Sequence, residues 1–386
     1  MQQVLYIVDG LGLSGKTKAM VDLIAGLDPA RYKAAAVVTL GGEHSPLHDR
    51  LAGLGVPVED VPCKDGVNMQ VVVRLAGLAR RLRPDIIHCY NPRTMLYGGT
   101  VARALRVRGT LGTLSAFACL TSDTEYKFLP QKLFTASRKN RMRNRVAATL
   151  VRTVVTVSPS LGRGFCRANG IPDRRLRVVP YGVPVDKFAG VTPEQIATFR
   201  LRHKLPPASV VIGSVGRLVE QKDYPTQLRA FAKAVAEVPR LRMVLAGSGP
   251  LKADLLRLAR EWKIAEYVSF IGHCEQVPTF LRSLDIFVLA SRFEPFGVAL
   301  LEAKAAGLAI VATRVNEIPE IVSDGQSGLL SPAEDPESMS RLFISLARDR
   351  EMRAKFGKQA SAEARAQNNL ESVVCGYQEL YQASLE

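Results

Sequence analysis

Short apolar runs alternate with amphipathic stretches of helical length along almost the whole chain. The apolar runs have the length of buried β-strands, and each is followed by a stretch with helical periodicity. Ten runs are predicted as strands: QVLYIVD, AAAVVTL, DIIHCY, GTLGTLS and TVVTVS in the first half, and SVVIGSVG, RMVLAG, VSFIG, IFVLAS and AIVAT in the second. Such continuous apolar strands are typical of parallel sheets covered by helices on both faces. The pattern therefore predicts an α/β protein with two parallel sheets.

The segment VVPYGVPVDKF, at residues 178–188, separates the two series of strands and is rich in proline and glycine. It predicts a hinge between a first domain at residues 1–180 and a second domain at residues 189–365. The segment LESVVCGYQELYQAS is predicted as a terminal helix. We expect residues 366–386 to pack back toward the first domain.

The composition predicts a soluble globular protein of the cytoplasm. No apolar run reaches the roughly 20 residues that span a bilayer. The N-terminal sequence MQQVLYIVDG indicates a strand rather than a secretion signal, because no cationic start precedes its apolar part. The six cysteines are scattered, with no C-x-x-C pair and no histidine at ligand spacing, which suits a reducing compartment and predicts no zinc site.

Charge is distributed unevenly. The formal net charge is +16, and residues 1–188 hold 28 Lys and Arg against 13 Asp and Glu, whereas the rest of the chain holds 24 against 23. The asymmetry indicates an anionic partner for the first domain, either a membrane surface or an anionic acceptor. Nucleic acid is not predicted, because the sequence has no helix-turn-helix, zinc-finger or RNA-binding aromatic motif.

The segment GLGLSGKT, from Gly10 to Thr17, follows a predicted strand and matches the phosphate-binding pattern G-x-x-x-x-G-K-[ST]. An NTPase of this type also needs an aspartate at the end of a strand to hold Mg²⁺, whereas Asp85 and Asp285 stand at strand starts. We favour a turn that accommodates phosphate or sugar without hydrolysing a nucleotide. A P-loop NTPase remains the alternative.

Two cations lie in the loop after the first strand of the second domain. Arg217 and Lys222, in SVGRLVEQKDY, can pair with a diphosphate and stabilise its charge as it leaves. A solvated loop is the alternative interpretation.

The segment SRFEPFGVALLEAKAAG carries two carboxylates, Glu294 and Glu302, around a helix that is predicted to begin near Gly297. The N–H groups of residues 296–298 would point toward an anion at that helix start. Glu302 lies among apolar residues, and a buried carboxylate needs a partner, for which ribose hydroxyls are suited. A purely structural carboxylate is the alternative.

These segments together resemble the retaining glycosyltransferases of family 4. The resemblance covers nearly all of residues 150–335 and rests on TVSPSLGRGF, VVPYGVPVDKF, SVGRLVEQKD, VLAGSGP, VSFIGH, the block from SRFEPFG to VAT, and IPEIVSDGQSGLL. It implies the GT-B fold, with two Rossmann-like doubly wound domains separated by a donor cleft. It also implies transfer of a hexose from a UDP- or GDP-sugar to a glycan or lipid-linked acceptor, in envelope glycan, exopolysaccharide or glycolipid synthesis. No cofactor and no metal are expected.

The resemblance also implies residue roles. Arg217 and Lys222 would contact the donor diphosphate, Glu302 the ribose, and Glu294 the sugar hydroxyls. The leaving diphosphate would take the proton from the acceptor. Glu294, Arg217 and Lys222 form the implied catalytic set, and the implied donor-binding set is Gly15, Arg217, Lys222, Glu294, Phe296, Gly297, Val298 and Glu302.

The sequence departs from the family in two places. Ser115 stands where members commonly carry a histidine near the reacting sugar, and His88 is a second acceptor-side candidate, unless it is a core histidine. Asn316 and Glu317 replace a glycine pair, which is expected to alter the donor-sugar pocket. A sugar-nucleotide epimerase with the same fold is a further alternative to the transferase.

The segment SRKNRMRNR, at residues 137–145, predicts where the chain attaches to a membrane. It is expected to be exposed, because only Met142 could add to an apolar stripe, and aromatic and apolar residues precede it in TEYKFLPQKLF. Peripheral attachment to the inner face of the plasma membrane is predicted, against a solvated charge run or an acceptor contact. The membrane-contact candidates are Arg138, Lys139, Arg141, Arg143 and Arg145.

Overall fold

The computed structural model divides into two compact units. Unit 1 comprises Met1–Gly182 with Leu370–Glu386, and unit 2 comprises Val183–Asn369. The sequence placed the corresponding boundaries at residues 180, 189 and 365. The structure describes residues 1–12, 14–63, 68–114, 138–294 and 296–386, with the backbone alone at 138–140.

Strands and helices alternate through both units. The described strands are β1 (Gln2–Val8), β2 (Tyr32–Thr39), β3 (Val58–Asp60), β4 (Ile86–Tyr90), β5 (Gly109–Leu114), β6 (Thr153–Thr156), β7 (Leu176–Val178), β8 (Val210–Val215), β9 (Leu241–Ala246), β10 (Val268–Gly272), β11 (Ile286–Leu289), β12 (Ala309–Thr313) and β13 (Gly328–Ser331). The described α-helices are α1 (Gly15–Gly26), α2 (Pro46–Gly53), α3 (Met69–Leu82), α4 (Pro92–Leu105), α5 (Arg138–Leu150), α6 (Pro159–Asn169), α7 (Val185–Ala189), α8 (Pro193–Arg202), α9 (Tyr224–Glu237), α10 (Lys252–Glu261), α11 (Val277–Arg282), α12 (Val298–Ala305), α13 (Ile318–Ile321), α14 (Pro336–Arg348), α15 (Arg350–Gln367) and α16 (Leu370–Leu385).

Unit 1 contains a parallel sheet in the order β3-β2-β1-β4-β5-β6-β7. Its central strands are buried on both faces, and Val4 is paired with Ile86 in the register of β1 and β4. The chain order reverses at β1 and β4, so the loops after these two strands lie side by side at the carboxyl edge, where doubly wound sheets bind ligands.

Unit 2 repeats this architecture with six parallel strands in the order β10-β9-β8-β11-β12-β13. Its core joins apolar side chains of β8, β9, β11 and β12 to those of the covering helices α9 and α14. The order reverses between β8 and β11, which places their loops next to each other. The predicted α/β class with two parallel sheets is confirmed.

The covering helices follow the hydrophobic period of the sequence. In α3, Val71, Leu75, Leu78 and Ala79 recur at helical spacing and are buried, and the side chain of Asn68 caps the helix by accepting the N–H of Gln70 at 2.9 Å.

His88 lies at the centre of a buried polar network that fastens α16 to the sheet of unit 1. Its Nδ1 is hydrogen-bonded to the Tyr381 hydroxyl at 2.8 Å, and its Nε2 to the Thr113 hydroxyl at 2.7 Å. The Tyr381 hydroxyl also contacts that of Tyr6 at 3.0 Å. Burial of the ring lowers the pKa of His88 to about 3.

This network predicts acid sensitivity. A histidine in an unfolded chain has a pKa near 6.5. Below that pH His88 is therefore protonated in the unfolded chain but stays neutral in the folded protein. Its contribution to stability is therefore complete above pH 6.5 and is lost as the pH falls toward 3. We expect the free energy of unfolding to drop by about 2 kcal/mol between pH 7 and pH 5 from this one group.

Urea unfolding followed by circular dichroism at the two pH values measures this loss. The variant His88→Gln should flatten the pH dependence, whereas His273→Gln, at an exposed position, should keep it. An equal slope in His88→Gln and the wild type would contradict the assignment.

Candidate functional site

Three neighbouring strands of unit 2 end in loops that are hydrogen-bonded to one another. The N–H of Arg292, after β11, donates to the carbonyl of Gln221, after β8, at 2.9 Å. The Thr313 hydroxyl, at the end of β12, donates to the carbonyl of Ser291 at 2.6 Å. The loops that carry the predicted unit 2 residues, Lys222 and Glu294 among them, therefore lie together at one edge of this sheet.

An ion pair between Lys222 and Glu294 is the central contact of that edge. The two side chains are only 16% and 6% exposed, and the Ser291 hydroxyl donates to the same carboxylate oxygen at 2.9 Å. An ammonium group has three N–H donors, so Lys222 can hold Glu294 and still donate to a second anion. The carboxylate is thereby fixed in position while its partner cation stays available.

The helix α12 begins immediately beside this ion pair. Gly297 is its N-cap with a φ of +73°, and no side chain caps the helix. The positive φ favours glycine at this position, and a Cβ atom there would also lie 2.9 Å from Leu300 Cδ1, so that the leucine side chain would have to shift. An uncapped helix start offers backbone N–H groups to an anion.

Four other predicted donor contacts lie on unit 2, whereas Gly15 belongs to unit 1. Phe296 is buried and Val298 half-buried, and Glu302 is buried in the second turn of α12. Arg217 is exposed and has no ion-pair partner among the described residues. Its loop lies against the loop after β9 so closely that a Cβ atom at Gly247 would lie 1.8 Å from the Gly216 carbonyl oxygen.

Asn316 and Glu317 form the loop after β12. Asn316 adopts a φ of +47°, which asparagine tolerates better than most residues, and its Oδ1 accepts the N–H of Glu294 at 3.0 Å. Glu317 is 4% exposed. Burial, with smaller contributions from the nearby Glu320 and Glu294, raises the pKa of Glu317 to about 7.

The glycine-rich turn of unit 1 uses its hydroxyl groups to cap α1. Gly15 is the first residue of that helix, Ser14 is its N-cap, and the buried Thr17 hydroxyl donates to the Gly12 carbonyl at 2.5 Å. A P-loop needs this hydroxyl for Mg²⁺. Asp85 precedes β4 and accepts the N–H of Gln3 at 2.8 Å, at the opposite edge from the turn.

Sequence reasoning missed a polar cluster at the carboxyl edge of unit 1. Asp9 Oδ2 accepts from Asn91 Nδ2 at 2.6 Å, and Asp9 Oδ1 is closed to solvent and has no partner among the described residues. Lys16 and Arg93 are close enough for Asp9 to act on both electrostatically. Burial lowers the pKa of Lys16, and the charge of Asp9 opposes this shift. The signal was the position of Asp9 and Asn91 directly after two adjacent strands.

The two acceptor-side candidates have different outcomes. Both ring nitrogens of His88 are bonded inside the core, so the structure gives it the role of a core histidine rather than an acceptor contact. Ser115 lies outside the described residues.

The basic segment forms the start of α5, in which Arg141, Arg143 and Arg145 are exposed. The side chains of Arg138 and Lys139 lie outside the described part. The expected exposure of the segment agrees with these positions: Met142, its one apolar residue, is 69% exposed as well, and the buried residues of the helix, such as Ala147 and Ala148, lie further along.

Two negative findings apply to the described ranges. No three His, Cys, Asp or Glu side chains there are grouped so that they could hold a metal ion. No helix in those ranges has the length and apolarity needed to cross a membrane.

Two curated proteins resemble part of this chain in sequence. A lipopolysaccharide core biosynthesis glycosyltransferase, LpsE of Rhizobium meliloti, is 29% identical over 207 residues, which are 54% of this chain and 58% of that protein. A D-inositol 3-phosphate glycosyltransferase of Corynebacterium jeikeium is 36% identical over 212 residues, 49% of this chain and 50% of that protein. The chain spans about half the length of the curated relatives it matches.

Among solved structures, that of HepE from Anabaena in complex with UDP superimposes with a TM-score of 0.83 at 19% identity, over 99% of this chain and all of that chain. This likeness confirms the GT-B fold. Family models match both halves: residues 14–182 match the glycosyl transferase 4-like domain, and residues 195–363 match the glycosyl transferases of group 1. The chain therefore belongs to the group 1 glycosyltransferases of the family 4 type.

Proposed function

We propose that the chain is a retaining glycosyltransferase that moves a hexose from a nucleotide diphosphate sugar to an acceptor hydroxyl. The observation that supports this most is the edge of unit 2, where Lys222, Glu294 and the uncapped start of α12 lie together. A cation and a helix start are suited to a diphosphate, and a fixed carboxylate beside them is suited to sugar hydroxyls.

The cations and the helix start would neutralise the diphosphate. Lys222 keeps N–H donors free beside Glu294, and the exposed Arg217 is free to turn toward a ligand. The charge on the diphosphate grows as its bond to the sugar breaks, so these contacts are stronger in the transition state than in the ground state.

The two carboxylates would hold the rest of the donor. Glu294 is held by Lys222 and Ser291, which orients it to accept sugar hydroxyls. Glu302 lies further along α12, where a buried carboxylate can accept both hydroxyls of a ribose. Because ribose is common to UDP and GDP, this contact does not select the base.

In the proposed reaction the acceptor oxygen bonds to the anomeric carbon while the bond from that carbon to the diphosphate breaks. The proton of the acceptor hydroxyl passes to the leaving diphosphate on the same face, which retains the configuration. No side chain is required as a nucleophile and no metal is required, so the protein contributes position and electrostatic stabilisation.

Single substitutions test the donor site. We expect Arg217→Ala, Lys222→Ala and Glu302→Ala each to lower kcat/KM for the donor roughly ten- to a hundredfold, because a charge-assisted contact contributes about 1.5–3 kcal/mol. Release of nucleoside diphosphate from UDP- and GDP-sugars measures the effect. Arg229→Ala, at an exposed arginine on α9, is the matched control and should keep wild-type kinetics.

Two results would contradict this site. One is normal donor kinetics in all three variants while circular dichroism shows an intact fold. The other is magnesium-dependent ATP hydrolysis that Lys16→Ala abolishes, which would support the P-loop alternative. Transfer that continues in EDTA is the expected result for a metal-independent enzyme.

The acceptor is proposed to bind at the Asp9 cluster of unit 1. The unpartnered oxygen of Asp9 can accept a hydroxyl, and Lys16 and Arg93 add positive charge around it. A hydroxylated anion fits this arrangement, and one relative is named for D-inositol 3-phosphate. An acceptor of this class agrees with a role in glycolipid or envelope glycan synthesis, as the name of LpsE also suggests.

Replacing the carboxylate of Asp9 tests the acceptor assignment. With an acceptor found in a panel that includes D-inositol 3-phosphate, Asp9→Asn should raise the acceptor KM about tenfold, the scale of one lost hydrogen bond to a charged group. The affinity for UDP alone should stay unchanged. Asp49→Asn, at an exposed aspartate, is the control. A change in UDP affinity without a change in acceptor KM would contradict the proposal.

We also propose that unit 1 attaches reversibly to the inner face of the plasma membrane through the row of helices α3, α4 and α5. Met69 and Val73 on α3, and Met142 and Val146 on α5, are large apolar side chains that are exposed. Both helices pack on α4, so these side chains lie on one side of the unit, among exposed arginines. Apolar groups surrounded by basic residues suit the headgroup region of an anionic leaflet.

Liposome co-sedimentation tests this attachment. Binding should require anionic lipid and weaken as salt rises, since each basic residue near the surface contributes about 1 kcal/mol. Replacing Arg138, Lys139, Arg141, Arg143 and Arg145 by Gln should abolish it. The control removes five exposed charges from unit 2: Arg202, Arg229, Arg260, Lys355 and Lys358. Equal sedimentation with zwitterionic vesicles, or equal loss in both variants, would contradict the proposal.

A further inference from the structure

The loop after β12 places the side chains of Asn316 and Glu317 next to Glu294, at the two positions where the resemblance implies a glycine pair. Asn316 takes the left-handed conformation that a glycine would take, and its Oδ1 holds the N–H of Glu294 at 3.0 Å. Glu317 follows it with an ordinary φ of −83° and ends the loop at the start of α13. The loop therefore keeps the glycine-type backbone and adds a carboxyl group to the edge that carries Glu294.

The carboxyl group of Glu317 is buried and incompletely paired. One of its oxygens, Oε2, is closed to solvent and has no hydrogen-bond partner among the described residues. A buried polar atom left in this state destabilises the fold. The fold nevertheless keeps this unpaired oxygen beside Glu294, which indicates that the carboxyl group binds a ligand or takes up a proton.

No cation in the described part of the chain compensates Glu317. Lys222 is paired with Glu294, and Arg292 with Asp223 and Glu334. The remaining charged neighbour is Glu320, which is exposed on the same short helix. Of the two neighbouring carboxyl groups, Glu294 has a lysine partner and Glu317 has none, so a negative charge on Glu317 must be removed by a proton or kept away from other anions.

We propose that Glu317 is a specificity-determining residue for the donor sugar, which binds the sugar as a neutral carboxylic acid beside Glu294 and restricts the donor to sugars without a negative charge. This inference rests on the proposed function, because it takes the edge at Glu294 as the place of the donor sugar. The sugar class it assigns is a neutral hexose with free hydroxyls, and it excludes hexuronic acids.

Burial makes the neutral form accessible near physiological pH, since it raises the pKa of Glu317 to about 7. A neutral carboxyl group has one O–H donor and can also accept, so it can pair with a sugar hydroxyl in either direction. The diphosphate of a bound donor adds negative charge nearby and favours the protonated state further. Donor binding is therefore coupled to uptake of a proton, and the affinity falls as the pH rises through 7.

Calorimetric titration with intact donors tests the coupling. For a neutral donor that binds, with UDP-glucose and GDP-mannose as probes, the Kd of the wild type should rise about tenfold between pH 6 and pH 8, as expected for one group with a pKa of about 7. Glu317→Gln imitates the neutral acid and should give a Kd that is nearly independent of pH. Glu320→Gln removes the neighbouring exposed carboxylate and should keep most of the wild-type dependence.

A second arm tests the selection against anionic sugars. UDP-glucuronic acid should bind to the wild type at least tenfold more weakly than UDP-glucose at pH 8, where Glu317 is charged. In Glu317→Gly, which restores the common glycine, this discrimination should shrink severalfold. Melting temperatures of both variants show whether unit 2 remains folded, and the near-isosteric Gln variant keeps the test valid if the Gly variant unfolds.

The outcomes separate the inference from the proposed function. If neutral donors bind and turn over, but the wild type and Glu317→Gln share one pH profile, the role of Glu317 is wrong and the transferase assignment stands. Equal affinity of the wild type for UDP-glucuronic acid and UDP-glucose at pH 8 would also contradict the role of Glu317. If no nucleotide sugar binds at either pH, the proposed function itself is contradicted, and the inference falls with it.

Discussion

The ion pair between Lys222 and Glu294 joins the loops that follow β8 and β11, which are neighbours in the sheet but 72 residues apart in the chain. Burying the carboxylate of Glu294 without a cation would cost too much desolvation free energy, and Lys222 supplies that cation. The same lysine is the cation that a diphosphate would meet. One contact therefore both stabilises this edge and leaves a cation there for a ligand.

The surrounding edge is built around this ion pair. Ser291 and Asn316 hold the carboxylate and the backbone of Glu294, and Gly297 turns the chain so that α12 begins beside it. Unit 1 carries a cluster around Asp9 at the equivalent place in its own sheet, and one oxygen of Asp9 has no hydrogen-bond partner in the described part of the chain. Both sheets thus follow the rule that open parallel sheets present their chemistry after strand ends at the point where the strand order reverses.

Most strands of the two sheets could be predicted from the sequence, because buried parallel strands appear in it as continuous apolar runs. All ten predicted strands are present, and the three that were missed, β3, β7 and β13, are edge strands of three or four residues. Glu294 and Lys222 could be identified from the sequence because each follows a predicted strand. That they form an ion pair could not, because contacts between loops distant in the chain depend on the tertiary structure. The role of His88 depended on Tyr381, 293 residues away, and the burial of Glu317 on packing that local sequence does not encode.

Hydrogen–deuterium exchange of the full chain with UDP-glucose, GDP-mannose or Mg²⁺-ATP tests the central claim most directly, because it locates the ligand. If the edge around Lys222 and Glu294 binds the donor diphosphate, an accepted nucleotide sugar should protect amides in residues 216–223 and 291–302. Mg²⁺-ATP should leave residues 10–17 unprotected. Protection of residues 10–17 by Mg²⁺-ATP, with no change at the two unit 2 segments under any nucleotide sugar, would contradict the account.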